Sequence, residues 1–156
     1  MSEELRRLKR RYAEIGDRLD GANESDTAAL FAVREFMMRD APKLTRLVGL
    51  AAADLYHLRG YDIRRIAEHL GTSNQIVQTT FLRPNAPSEY VAVRRAESGK
   101  YERQTVSVDL RKTSRRRVSV LQDAGWRFVP VAWQVDPNTV GNAELWERLG
   151  EVPALA

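Results

Sequence analysis

The stretch that most constrains the fold runs from Tyr61 to Arg83, YDIRRIAEHLGTSNQIVQTTFLR, where two short helical patterns are separated by a glycine. Asp62 can cap the first helix, and Gly71 stands where the left-handed backbone that ends a helix favours glycine. Ser73 can cap the second helix. The spacing therefore predicts two helices joined by a tight turn. The predicted buried face of the first helix consists of Ile63, Ile66, Ala67 and Leu70.

This order of helix, glycine turn and helix is typical of a helix-turn-helix. Ala67 is small where the two helices must approach closely, and Ile76 or Val77 is expected to close the contact across the turn. An alternative is a plain pair of helices whose outer residues are only solvated, because short motifs also occur by chance.

The outward side of the second helix is polar and uncharged, whereas a helix that needed only solubility would normally carry Glu and Lys there. An amide side chain donates and accepts hydrogen bonds at once, which matches the N6 and N7 edge of adenine in the major groove of DNA. Arg83 follows the helix and is predicted to contact the DNA backbone. The residues predicted to read bases are Ser73, Asn74, Gln75, Gln78 and Thr79.

A second candidate site is the basic segment, residues 111–117, in which five of seven residues are cationic. The chain of 156 residues has a net charge of +4, and residues 111–127 carry six basic side chains against one acidic one. A basic patch concentrated in this way attracts a polyanion. The residues predicted to contact DNA here are Arg111, Lys112, Thr113, Ser114, Arg115, Arg116 and Arg117.

The basic segment also suggests a phosphate site at a helix terminus. If Thr113 caps the helix, Arg115, Arg116 and Arg117 lie in its first turn, where the helix dipole disfavours cations and favours an anion. The alternatives are a solvated charged face, or ion pairs with a neighbouring hairpin. The carboxylates considered for those pairs are Glu97, Glu102 and Asp109.

The N-terminal half is predicted to be helical. A seam of apolar residues at spacings of three and four runs through residues 3–19, a break follows at residues 21–25, and a second helix is expected at about residues 26–39. These two helices are expected to form an antiparallel hairpin, in which Met37 and Met38 pack. A third, strongly apolar helix over residues 43–58 is expected to support the helix-turn-helix. The seam consists of Leu5, Leu8, Tyr12, Ile15 and Leu19.

Two prolines in residues 84–88 mark a predicted domain boundary, after which the periodicity becomes alternating. Strands are predicted at residues 89–95, 101–110 and 127–135, and helices at residues 113–124 and 142–149. The predicted fold is mainly α with a small α+β C-terminal domain. An N-terminal helical bundle, residues 1–83, contains the helix-turn-helix at residues 61–83, a proline linker fixes the spacing, and a ββαβα domain covers residues 89–156.

Composition restricts the chemistry. The chain has no cysteine, which excludes disulfides and thiolate zinc sites, and it has no apolar run long enough to cross a bilayer. Its two histidines, His57 and His69, have no recognisable acidic or hydroxyl partners. We therefore expect a cytoplasmic, nucleoid-associated protein that is not an enzyme and uses no cofactor or metal. A DNA-processing enzyme is the least favoured alternative, since neither a nucleophile nor a metal-binding carboxylate cluster is evident.

Residues 61–83 resemble the helix-turn-helix of bacterial and phage transcriptional regulators. The Arg-rich composition, helical N-terminus, central motif and small mixed C-terminal domain also resemble the immunity repressors of actinobacteriophages. This resemblance implies repression of lytic genes through double-stranded DNA, with the C-terminal domain assisting DNA binding. A monomer is favoured, and a homodimer through the N-terminal helix is the alternative. A recombination or partition accessory protein remains an alternative to a repressor.

Overall fold

A computed structural model describes residues 3–20, 27–85 and 88–150, which form a mainly helical chain with one small three-stranded antiparallel sheet. The α-helices are α1 (Glu3–Asp20), α2 (Thr27–Glu35), α3 (Ala41–Leu58), α4 (Ile63–Leu70), α5 (Asn74–Ile76), α6 (Lys112–Asp123) and α7 (Asn142–Gly150). π-Helical segments span Phe36–Asp40 and Val77–Leu82, and 3₁₀-helices span Arg83–Asn85 and Val131–Trp133. The strands are β1 (Ser88–Arg95), β2 (Tyr101–Val108) and β3 (Arg127–Phe128). Within these ranges no helix has the length and apolarity that crossing a bilayer requires.

The chain divides by its contacts into two units, Met1–Val48 and Gly49–Ala156. In the first unit α1 packs on α2, and the seam residues Leu8 and Ile15 are buried as predicted. Tyr12 lies in the same seam but is 67% exposed, and its ring is tilted against that of Phe36, with ring centroids 5.9 Å apart. The predicted break at residues 21–25 and the side chains of Leu5 and Leu19 lie outside the described residues.

The apolar side of the second helix is only partly covered. The prediction that Met37 and Met38 pack inside the hairpin is wrong, since they are 64% and 69% exposed. Both lie in the π-helical segment, where Asp40 is instead the buried residue, held 3.6–3.7 Å from the guanidinium groups of Arg7 and Arg11. The buried side chain of this segment is therefore a paired aspartate, and the two methionines lie on the surface.

The second unit is organised around the C-terminal half of α3. Ala52 and Tyr56 of this helix pack on α4 and on the helix that follows it, as predicted for a supporting helix. Leu58, two residues after Tyr56, packs instead on the core beneath the sheet. One helix therefore contributes to two of the three hydrophobic clusters described in this unit. The remaining buried members of the first core are Tyr61, Ile66, Ala67, Val77 and Leu82.

The sheet has the order β2-β1-β3, with β1 in the centre and both pairings antiparallel. Gly99 closes the β1–β2 hairpin with a φ of 81°, a conformation that glycine adopts without strain. Tyr90, Val106 and Val108 are fully buried on one face, where α6 covers them through Val118. α7 covers a third cluster through Leu145, which packs with Val93 and Val129.

The third predicted strand is much shorter than expected. Pairing covers only Arg127–Phe128, and one further bond joins the N–H of Val129 to the carbonyl of Val91 at 2.9 Å. Pro130 has no N–H to extend the ladder, and the chain then turns into the 3₁₀-helix Val131–Trp133. The N–H groups of Val131 and Ala132 donate to the carboxylate of Asp54 on α3 instead of to a neighbouring strand.

The division between the two units falls within the sequence of α3, whereas the predicted domain boundary lies at residues 84–88. Pro84 and Asn85 belong to the 3₁₀-helix, and residues 86–87 lie outside the described residues. The predicted boundary concerns which parts fold independently, and it stays a prediction.

Candidate nucleic-acid interface

The first candidate surface is built on α4, the turn after it and the helix that begins at Asn74. An Oδ1 atom of Asp62 accepts the N–H of Arg65 at 2.8 Å, which confirms the predicted cap. Gly71 adopts φ 64° and ψ 37°, which confirms the predicted left-handed helix end. The Oγ of Ser73 accepts the N–H of Ile76 at 3.3 Å, so this hydroxyl caps the second helix as predicted.

The packing decides between the two residues predicted to close the turn and differs from the predicted pattern at Leu70. Val77 closes the contact between the helices and is fully buried, whereas Ile76 remains 44% exposed. Leu70 is 39% exposed, so it lies at the edge of the predicted buried face. The inward side of α4 therefore depends mainly on Ile66 and Ala67, which are fully or nearly fully buried.

The residues predicted to read bases lie on the surface. Asn74, Gln75 and Gln78 are exposed, and within residues 3–20, 27–85 and 88–150 no hydrogen bond engages their side-chain amides. Thr79 is also exposed, but its hydroxyl donates to the carbonyl oxygen of Gln75 at 2.8 Å. Arg83 is exposed at the end of the helix. The amides are thus available to a partner, while the hydroxyls of Ser73 and Thr79 already bond to the backbone.

The helix carrying these amides widens to π geometry from Val77 to Leu82. Hydrogen bonds between residues five apart bring Val77 and Leu82 to the same side, and both are buried in the core with α3. Pro84 lacks the N–H that an α-helix would donate to Thr80, which removes a bond that would otherwise keep α geometry. π-Helical turns are rare and often lie at functional sites.

The second candidate surface is the basic segment, which forms the start of α6. The prediction that Thr113 caps this helix is wrong: Arg111 occupies the cap position without a capping side-chain bond, and the helix begins at Lys112. The reason is Asp109, whose Oδ1 accepts the N–H of Arg111 at 2.9 Å and the hydroxyl of Ser114 at 2.7 Å. This arrangement keeps the backbone extended through Arg111.

Asp109 also engages Arg111 and Ser114, two of the residues predicted to contact DNA. Its Oδ2 lies 2.6 Å from a guanidinium nitrogen of Arg111, and this bond, more than that from Ser114, holds the pKa of the Asp109 carboxyl well below its ordinary value. Glu102, another carboxylate considered for the basic segment, pairs with Arg94 of β1 instead. Among the described residues, the ion pair considered as an alternative therefore forms with Asp109 and not with Glu97 or Glu102.

Arg115 faces the protein rather than solvent. Its guanidinium carbon lies 4.4 Å from the ring centroid of Tyr56, and an Nη2 donates to the carbonyl oxygen of Tyr61 at 3.4 Å. Such stacking over an aromatic ring favours a fixed position for the guanidinium. Residues of the basic segment that are exposed and have no carboxylate within 4.0 Å in the described part of the chain are Lys112, Arg116 and Arg117, and Thr113 is exposed beside them.

Side-chain contacts connect the two surfaces. Leu110 packs on the core beneath the first surface, and its carbonyl oxygen accepts the hydroxyl of Tyr56 at 3.3 Å. Gln122 of α6 donates to the carbonyl oxygen of Leu58 at 2.9 Å. The basic segment is therefore attached to the same α3–α4 region that supports the exposed amides. Sequence analysis missed this attachment because the apolar type of Leu110 indicates burial but not the partner.

Asp54 and His57 are two buried ionisable groups on α3. Asp54 accepts the hydroxyl of Tyr90 and the N–H of Val131, each at 3.0 Å, and the N–H of Ala132 at 2.9 Å. Burial raises the pKa of the Asp54 carboxyl from 3.8 to about 6, although these three donors partly offset it. His57 is 3% exposed, and burial, together with the nearby charge of Arg115, lowers the pKa of its ring from 6.5 to about 4.

The two pKa shifts oppose each other in their effect on stability. Asp54 has a folded pKa above its unfolded value, so its contribution to stability is complete below pH 3.8 and is lost as the pH rises through about 6. His57 has a folded pKa below its unfolded value, so its contribution is present above pH 6.5 and is lost as the pH falls through about 4. The wild-type protein should therefore change little in stability where the two ranges overlap.

Single substitutions are expected to reveal the pH dependence of stability that each group contributes. Between about pH 7.5 and about pH 5, the free energy of unfolding of Asp54→Asn should fall by about 2 kcal/mol, because His57 is then unopposed. For His57→Phe it should rise by about 1 kcal/mol over the same interval. Urea denaturation at the two pH values measures both changes. Equal slopes in the two variants would contradict this account of the buried pair.

Comparison of the chain with known protein families, with curated proteins and with solved structures gives no match. In the described part of the chain, no group of three or more His, Asp or Glu side chains is placed to hold a metal ion. The functional interpretation therefore depends on the two surfaces themselves.

Proposed function

We propose that this protein is a sequence-specific, double-stranded DNA-binding transcriptional repressor. In this proposal α4, the Gly71 turn and the helix from Asn74 to Leu82 act as a helix-turn-helix, followed by a ββαβα domain. The second helix enters the major groove, and the start of α6 contacts the phosphate backbone. The observation that carries the proposal is the exposed face of three amides directly after a capped helix–glycine–helix turn, with no hydrogen bond from these amides to any described residue.

The basic segment supports the same proposal. Lys112, Arg116 and Arg117 are exposed and have no ion pair with any described residue, and the contacts of Leu110 and Arg115 attach them to the region that supports the amides. Once the amides are bound, contacts by this attached surface become intramolecular, so they add affinity without a second protein copy. We therefore propose a monomer that recognises an asymmetric site, with a homodimer through α1 as the alternative. Sedimentation of the protein–DNA complex distinguishes the two.

A binding selection on random duplexes tests the proposed function. The full chain should enrich one sequence, and a triple variant with Lys112, Arg116 and Arg117 replaced by alanine should enrich a shorter or weaker version of it. Full-length variants are preferable to truncation at residue 83, because Leu110 belongs to the core beneath the amides. Failure to enrich any sequence would contradict the proposal.

The salt dependence of binding is expected to identify the phosphate contacts. Arg116→Ala should weaken binding to all duplexes similarly and should reduce the slope of log K against log salt by about 0.9, the value for one lost phosphate contact. Its thermal stability should be unchanged, because Arg116 is exposed and unpaired in the described part of the chain. Arg148→Ala, which removes an exposed arginine on α7, is the control and should leave the slope unchanged. An unaltered slope for Arg116→Ala would favour a merely solvated face.

The regulatory role goes a step beyond DNA binding. The resemblance to immunity repressors of actinobacteriophages leads us to propose that the protein acts in the bacterial cytoplasm, associated with the nucleoid, where it silences genes without a cofactor. A reporter gene placed behind the selected sequence should be repressed by the wild-type protein. Binding without repression would instead favour a recombination or partition accessory protein.

A further inference from the structure

An apolar side chain lies on the surface among the amides of the second helix. Ile76 is 44% exposed, whereas Val77, the other residue considered for the contact across the turn, is fully buried. Ile76 is therefore not required to join the two helices. It occupies the first turn together with Asn74 and Gln75, both of which are exposed.

Thr79 adds a second apolar group one helical turn later. Its hydroxyl donates to the carbonyl oxygen of Gln75 at 2.8 Å, so the polar part of this side chain is directed at its own helix. Because the side chain is branched at Cβ, this bond leaves the methyl group as the part that remains for a partner. Residues three apart on a helix are neighbours on its surface. Ile76 is thus a neighbour of Thr79, and Thr79 lies next to Gln75, four residues earlier on the same helix.

We propose that Ile76 and the methyl group of Thr79 read the C5-methyl groups of thymine. This inference rests on the proposed DNA-binding function and names the bases that the second helix prefers. Thymine is the base that displays a methyl group in the major groove, and apolar side chains contact it there. The adjacent amides match adenine. An amide next to an apolar group therefore suits an A·T pair, so this part of the target should be rich in A·T pairs.

Deoxyuridine provides a direct test, because it lacks only the methyl group and still pairs with adenine. Each thymine in the duplex selected by the full-length protein is replaced in turn, and affinity is measured by fluorescence anisotropy at fixed salt. The wild-type protein should lose about fourfold in affinity at one or two thymines, as expected for one unburied methyl group. A single exposed isoleucine is common on protein surfaces and would give no such loss.

Two variants assign the effect to its residues. Ile76→Ala should bind the thymine and deoxyuridine duplexes equally at one position. Thr79→Ser, which keeps the hydroxyl that bonds to Gln75, should do so at the other. Thr80→Ser removes a methyl group from the neighbouring exposed position and should behave like the wild-type protein. Melting curves that match the wild type show that each variant is folded.

The outcomes separate this inference from the proposed function. A selected sequence at which deoxyuridine changes nothing overturns the inference and leaves the DNA-binding proposal intact. The inference is also overturned if Ile76→Ala and Thr79→Ser keep the full wild-type sensitivity. If the selection enriches no sequence, the proposed function fails, and methyl readout fails with it.

Discussion

Replacing Gln78 with alanine should reduce discrimination between the selected duplex and an unrelated one by about 1–3 kcal/mol, the value of one good bidentate base contact. Gln78 is exposed one turn after Asn74, and within the described residues its amide has no hydrogen-bond partner that the substitution would strand. The loss should therefore appear in DNA recognition and not in stability. Competition binding with the two duplexes measures the discrimination directly.

Thr80→Ala is the control for this experiment. Thr80 is exposed on the same helix but has no amide, so its removal should leave discrimination near the wild-type value. Gln78→Glu has nearly the same shape as glutamine but replaces the donor with a negative charge, and it should bind both duplexes poorly. If Gln78→Ala weakens binding to both duplexes equally, this amide contacts the backbone and does not read a base.

Replacing Asp54 with alanine should lower the free energy of unfolding by about 2–4 kcal/mol. The substitution leaves the hydroxyl of Tyr90 and the N–H groups of Val131 and Ala132 without an acceptor, and each unsatisfied buried donor costs about 1–3 kcal/mol. Removing a buried charge offsets part of this loss, which is why the expected total is smaller than the sum of three bonds. Urea denaturation at about pH 7 measures the change.

Asp123→Ala provides the matched control, since this exposed aspartate at the end of α6 has no ion pair among the described residues. Its free energy of unfolding should stay within about 0.5 kcal/mol of the wild type. Asp54→Asn keeps one oxygen acceptor and should fall between the wild type and Asp54→Ala at neutral pH. A stable Asp54→Ala protein would show that Asp54 does not hold the 3₁₀-helix Val131–Trp133 in place.

Local patterns predicted the parts of the fold that depend on neighbouring residues. The caps at Asp62 and Ser73 and the left-handed end at Gly71 are as predicted, because each involves residues at most a few positions apart. The exposure of the amide face follows from helical periodicity in the same way. The supporting role of α3 was also predictable, since a helix that is apolar around much of its circumference must be covered.

Distant partners explain the short third strand and the position of Arg115, whereas a local contact explains the start of α6. The third strand stops early because Asp54 accepts N–H groups 77 and 78 residues away in sequence. Arg115 was assigned to DNA, but the structure places it over Tyr56. Thr113 was expected to cap α6, yet Asp109 organises the start of that helix. In each case the residue type was compatible with both roles.

The sequence by itself determined the tight turn at Gly71, the amide-rich helix after it and the cluster of positive charge at residues 111–117. Tertiary structure decided that Arg115 stacks on Tyr56, whereas Arg111 pairs with Asp109 only two residues away and Arg116 stays unpaired in the described part of the chain. It also decided that the basic segment attaches through Leu110 to the core beneath the amides. The physical reason is that caps, turns and pairs between close residues depend on near neighbours, whereas stacking and core contacts join residues that only folding brings together.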